Sequence, residues 1–143
     1  MPIDPWSVFL SNFGGLPKPY TAFVTLLDIA IYAVLSLNVS RARGKHKVAA
    51  PATEGPEAFN RVFRVQQNTL EQLMLHLPLL WIAAFAMDDP FAASFGAVWA
   101  FSRILYARGY YQKPKRRTKG FIIGMVVNMI LFAGALAGTV AAF

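Results

Sequence analysis

Cysteine is absent from the 143 residues. That excludes a disulfide framework, a cysteine-ligated metal and a cysteine nucleophile. Histidine is scarce: His46 and His76 stand far apart in the chain and make no metal site by themselves, so no metal cofactor is expected. Acidic residues number 7 against 14 Lys and Arg, a net charge of +7. The first fifteen residues, MPIDPWSVFLSNFGG, have neither a basic n-region nor a small-residue cleavage site. A removable signal peptide is therefore not expected. No linker or internal repeat divides the chain, which reads as a single domain over 1–143.

What the sequence does have is long apolar blocks, with 56% of residues hydrophobic. A soluble core of this size interleaves apolar and polar residues at short periods instead. The first block covers 20–38 and contains one charge, Asp28. At 1.5 Å per residue it reaches roughly 28 Å, close to the thickness of a bilayer's hydrocarbon core. The second is strictly apolar only over 73–87, too short to span, but extends back to Glu57 as a helix with a polar first half. Pro56 and Glu57 suit its first turn. The third carries Arg103 and stops before Pro114, and the last is uncharged from Gly120 to Phe143. The pattern predicts an all-α integral membrane bundle of four transmembrane helices at about 20–40, 57–87, 90–111 and 120–142.

The position of the basic residues decides between partners. Arg41, Arg43, Lys45 and Lys47 lie between the first and second blocks; Arg108, Lys113, Lys115, Arg116, Arg117 and Lys119 lie between the third and fourth. Lys18 alone lies near the opposite ends. Basic loops held on the cytoplasmic side explain this better than a nucleic-acid patch, so no nucleic-acid partner is expected. Both termini then fall on the other side of the membrane.

Within the second helix, Arg61, Arg64, Asn68 and Glu71 recur at steps of 3, 4 and 3 and share one face. In the third, Arg103, Tyr106 and Tyr110 do the same. Two readings of these stripes stand. In one, the arginines snorkel to the interface and Glu71 pairs with Arg64 or Arg103. In the other, the stripes face each other and line a polar pocket, since ionisable groups at membrane depth turn inward or line a cavity. Such a pocket suits a zwitterion with several carboxylates: guanidinium forks for carboxylates, Glu71 for an ammonium, Asn and Tyr for amides. Asp28 either faces this pocket or finds a partner inside the bundle. Asn38 reads as a cap of the first helix, His76 as a packed side chain or interhelical donor, and Pro78 as a kink. The spacings Gly120-x-x-x-Gly124 and Gly134-x-x-x-Gly138 allow close helix approach.

The segments FNRVFRVQQNTLEQL (59–73) and FSRILYARGYYQKPKRR (101–117) resemble the membrane-associated proteins in eicosanoid and glutathione metabolism, the MAPEG family. The likeness covers nearly the whole chain and is nearest to the branch of leukotriene C4 synthase, microsomal glutathione transferase 2 and bacterial homologues. It implies a homotrimer of four-helix subunits in a bacterial inner membrane, binding glutathione as cosubstrate between subunits near the cytoplasmic face. Arg43, Arg64, Gln66, Asn68, Glu71, Arg103, Tyr106 and Tyr110 would bind glutathione. Arg117 would be catalytic, stabilising the glutathione thiolate; Arg116 stands next to it, and sequence alone leaves open which of the two faces the thiol. The implied activity is a glutathione transferase acting on hydrophobic electrophiles or lipids, with peroxidase activity toward lipid hydroperoxides. The alternative is a non-catalytic lipid-binding accessory protein of the same fold. Two departures stand out. Gln72 follows Glu71 where leukotriene C4 synthase carries a tyrosine, and no acidic residue falls within 64–68, unlike prostaglandin E synthase.

Overall fold

The computed structural model describes residues 16–143; the segment read for a signal peptide lies outside them. Four long helices follow one another: α1 (Pro19–His46), α2 (Glu57–Ala86), α3 (Asp89–Gln112) and α4 (Thr118–Val140). One turn of 3-10 helix, Pro114–Arg117, links α3 to α4. Every helix packs on at least two others, with α3 and α4 in the most extensive contact.

The bundle is apolar outside as well as inside. Phe23, Met74 and Met129 are each more than half exposed, and most large side chains of α4 are exposed too. A water-soluble surface does not carry apolar area on this scale. Lipid does solvate such a surface, provided that the backbone is hydrogen-bonded within helices, as it is here. α1, α2 and the segment Pro114–Val140 are each long and apolar enough to cross a membrane.

The helix ends show how the bundle is held. Lys18, at the start of α1, offers no side-chain cap. Asp89, at the start of α3, supplies one instead: its carboxylate accepts from Tyr20 N at 3.1 Å and Thr21 N at 3.0 Å. Two first-turn donors of α1 are thereby satisfied from another helix. Its neighbour Asp88 caps α3 itself, accepting from Phe91 N. The acidic pair thus ties two helix N-termini together.

α1 does not stop at Asn38. It runs on to His46, and Asn38 is an internal residue whose amide donates to Tyr111 Oη on α3. The cap is Lys47, in the left-handed region at φ 54°. The extra length has a physical reason: at 1.5 Å per residue α1 is about 42 Å long, so its last turns carry Arg41, Arg43 and Lys45 beyond a core about 30 Å thick. α2 continues through Pro78 without interruption.

All four helices meet at one polar knot. His76 of α2 is fully buried; its Nδ1 lies 2.8 Å from Asn128 Oδ1 on α4, and its Nε2 lies 3.5 Å from Asp28 Oδ2 on α1. Its ring stacks on Trp99 of α3 with centroids 4.0 Å apart. Asp28 therefore points into the bundle toward His76. Asn128→Leu leaves the His76 nitrogen buried without a partner, a loss of about 1–3 kcal/mol. The expected readout is a lower thermal midpoint in detergent, with helical content unchanged before the transition.

Candidate functional site

Seven side chains converge at the end of the bundle nearer the 3-10 turn. Arg64, Gln67, Asn68 and Glu71 come from α2, Tyr106 and Tyr110 from α3, and Arg117 from the turn. Together they line a pocket of 330 Å³. A second hollow of 370 Å³ adjoins it, sharing Arg64 and Gln67 and adding Thr53, Glu54, Asn60 and Phe63. The α2 residues fall at steps of 3, 1 and 3, one helical face, and that face is open beside the α3 tyrosines. Among the described residues, Glu71 and Arg64 form no ion pair: the pairs present are Arg61 with Glu57 and His76 with Asp28. Their charges are therefore available to a ligand.

Arg117 reaches the pocket because of a glycine. A Cβ on Gly109 would sit 2.5 Å from the carbonyl oxygen of Arg116, so only glycine lets the turn fold back against α3. The guanidinium of Arg117 then lies 4.8 Å above the centre of the Tyr110 ring, a cation–π contact that fixes its direction. Arg116, about 120° away around a 3-10 helix, instead donates to Gln112 Oε1 and does not line the pocket. Gly109→Val should push the 116–117 backbone off α3 and carry Arg117 out of place. The expected outcome is a folded protein, by circular dichroism, in which any Arg117-dependent function is lost as in Arg117→Ala.

Arg103 belongs to the support of the pocket. It is 1% exposed, donates to Asn68 Oδ1 at 3.3 Å and to Gly120 O at 3.4 Å, and lies between the Trp99 and Tyr106 rings. Engaging the oxygen of Asn68 leaves its NH2 to face the pocket. The approach of α4 that makes this possible requires Gly120, where a Cβ would meet Tyr106 N at 2.4 Å. Gly124 likewise sits against the Arg103 guanidinium. The other glycine pair, Gly134 and Gly138, faces Met87 and Ala86 at the far end of α2.

Three of the sequence-derived residues lie elsewhere. Gln66 donates to Tyr32 Oη on α1 and does not line the pocket. Arg43, near the end of α1, donates to Ala52 O at 2.7 Å and lies over the Phe59 ring, strapping the 47–56 loop. Arg61, on the expected stripe, pairs with Glu57. Gln67 lines both hollows and was not singled out from the sequence. Its signal was there: it stands three residues after Arg64 and four before Glu71.

The pocket presents two guanidiniums, one carboxylate, two primary amides and two phenols at the edge of a lipid-solvated helical bundle. That defines a membrane protein with a polar, multiply charged pocket at one end of its bundle. The sequence profile of the MAPEG family matches residues 21–137. An uncharacterised protein of Synechocystis is 52% identical over 82% of this chain and 85% of its own. Leukotriene C4 synthase of Cavia porcellus is 38% identical over 85% of this chain and 81% of its own. Microsomal glutathione S-transferase 2 of Mus musculus is 35% identical over 85% of this chain and 83% of its own. The chain belongs to the MAPEG family and is an integral membrane protein.

Proposed function

We propose that the protein is a membrane-bound glutathione transferase, conjugating glutathione to hydrophobic electrophiles and reducing lipid hydroperoxides in a secondary activity. The observation that carries this reading is the placement of Arg117 on the Tyr110 ring in the same pocket as Arg64 and Glu71. Glutathione has two carboxylates, an ammonium, two amides and a thiol. The pocket offers Arg64 for a carboxylate, Glu71 for the ammonium, and Asn68, Gln67, Tyr106 and Tyr110 for amide and carboxylate oxygens. Arg117 then remains for the sulfur. A guanidinium beside a thiol favours the thiolate by charge alone, without accepting a proton. The thiol proton leaves to solvent, and the thiolate attacks an electrophile dissolved in the bilayer, displacing its leaving group or opening its ring. The chain therefore needs no Ser, Cys or His nucleophile of its own. A lipid hydroperoxide is reduced to the alcohol and water by two glutathione molecules, which leave as their disulfide.

The same reading includes a homotrimer of four-span subunits, with α3 as the fourth span. Arg43 and Gln66 lie away from the pocket on their own chain. In a trimer they would reach the pocket of a neighbouring subunit. Basic loops and pocket would face the cytoplasm, the compartment that holds glutathione, in a bacterial inner membrane.

The test is a conjugation assay with a chloronitrobenzene electrophile on the protein reconstituted in liposomes, beside a thermal shift on adding glutathione. Turnover with a stabilising shift is expected. No turnover and no shift would sink the enzyme reading and leave the lipid-binding accessory role.

A further inference from the structure

A groove of 440 Å³ runs between α1 and α3 and shares no residue with the candidate pocket. Its walls are apolar and open sideways: Val34 is 53% and Ile104 41% exposed, above a floor that includes Ile31 and Ala107. From Ala30 to Asn38 it follows α1 for about 12 Å. One end is different. Asn38, Arg108 and Tyr111 form the rim on the side of the basic loops. The Asn38 amide donates to Tyr111 Oη at 3.5 Å across the two helices, and its Oδ1 accepts from Arg41 Nη1 at 3.4 Å. One guanidinium, Arg108, thus lies in the rim of an apolar trough, and a second, Arg41, stands just beyond it, held by Asn38.

The occupant follows from charge and level. Among the described residues no acidic side chain lines the groove, so its rim is purely cationic and hydrogen-bonding. A second copy of the chain docked here about a two-fold axis would set like charges against each other, which is unfavourable. The rim stands on the side of the basic loops, where lipid headgroups lie, and basic side chains at that level attract anionic lipids. A phosphate has several acceptor oxygens for two arginines and a phenol, and the lateral opening leaves a second acyl chain free in the bilayer. We propose that the groove holds one anionic membrane phospholipid, its phosphate at Arg41 and Arg108 and one acyl chain along the trough. The proposal rests on the membrane assignment and not on the glutathione reading, so the two fail separately.

The experiment is native mass spectrometry of the full chain in detergent, with equal amounts of phosphatidylglycerol and phosphatidylcholine of matched chains. Wild type should retain one phosphatidylglycerol per chain, with a preference on the order of tenfold from two basic contacts. R41A/R108A should abolish the preference, whereas R41K/R108K and the loop control K115A/K119A should keep it. Ile104→Trp, which fills the trough and leaves the charges, should remove the retained lipid. Circular dichroism checks the fold of each variant; if R41A/R108A does not fold, the lysine pair and Ile104→Trp decide. Equal retention of the two lipids by wild type overturns the proposal. So does a preference that survives in R41A/R108A, lipid retained by Ile104→Trp, or displacement of the phospholipid by an equal amount of palmitate.

Discussion

Arg117→Ala should lower turnover at neutral pH by about 100-fold, the scale of removing one group that stabilises developing negative charge. Glutathione should still bind, because Arg64 and Glu71 keep the peptide's charged ends, with affinity at neutral pH lowered only by the lost thiolate stabilisation. The pH profile separates this from a loss of shape. A free thiol titrates at about 8.5, and a neighbouring guanidinium lowers that value. In wild type the bound sulfur is then already a thiolate near neutrality, and the rate changes little from there upward. Without Arg117 the thiol pKa returns toward the free value, so the variant's rate should climb as pH rises through about 8.5. Arg117→Lys keeps the charge but loses the planar contact with Tyr110, and should fall between the two. Arg116→Ala should leave turnover near wild type, since Arg116 is engaged with Gln112 outside the pocket.

Arg64→Ala and Glu71→Gln should act on the other parameter. Each removes a charged partner from the ligand, worth about 1.5–3 kcal/mol, or roughly 10- to 100-fold in affinity. KM for glutathione should rise by that factor while kcat at saturation falls little. The double variant should lose more than either single one, because the two groups hold opposite ends of one molecule. Isothermal titration of glutathione into the detergent-solubilised protein reads the affinity directly. Unchanged affinity in both single variants would remove glutathione from this pocket.

Much of this architecture was legible in the sequence because lipid demands it. Apolar runs of bilayer length separated by Pro, Gly and charge have few alternatives to a helical bundle, and helices form where those runs lie. The face formed by Arg64, Asn68 and Glu71 follows from helical periodicity alone, and Gln67 could have been added on the same ground. What periodicity could not give were facts of the third dimension. The end of α1 was misplaced because the charged run after Asn38 reads as a loop, although a helix can continue into water beyond the headgroups. Gln66 stands about 200° around α2 from Arg64, so no single pocket on one chain suits both. Choosing Arg117 over Arg116 depends on how a single turn docks against Gly109, a contact between segments that no local pattern encodes. Asp89 is similar: it is the first residue of one helix, yet its side chain caps another.

The central claim is that this pocket binds glutathione and holds its sulfur ionised through Arg117. Titrating glutathione into the purified protein while recording the thiolate's ultraviolet absorbance tests binding and activation together. The band should grow to saturation at neutral pH in wild type, and saturating glutathione should leave it absent in Arg117→Ala. A wild-type protein that binds glutathione with no thiolate band, or an Arg117→Ala variant with a full one, would contradict the account.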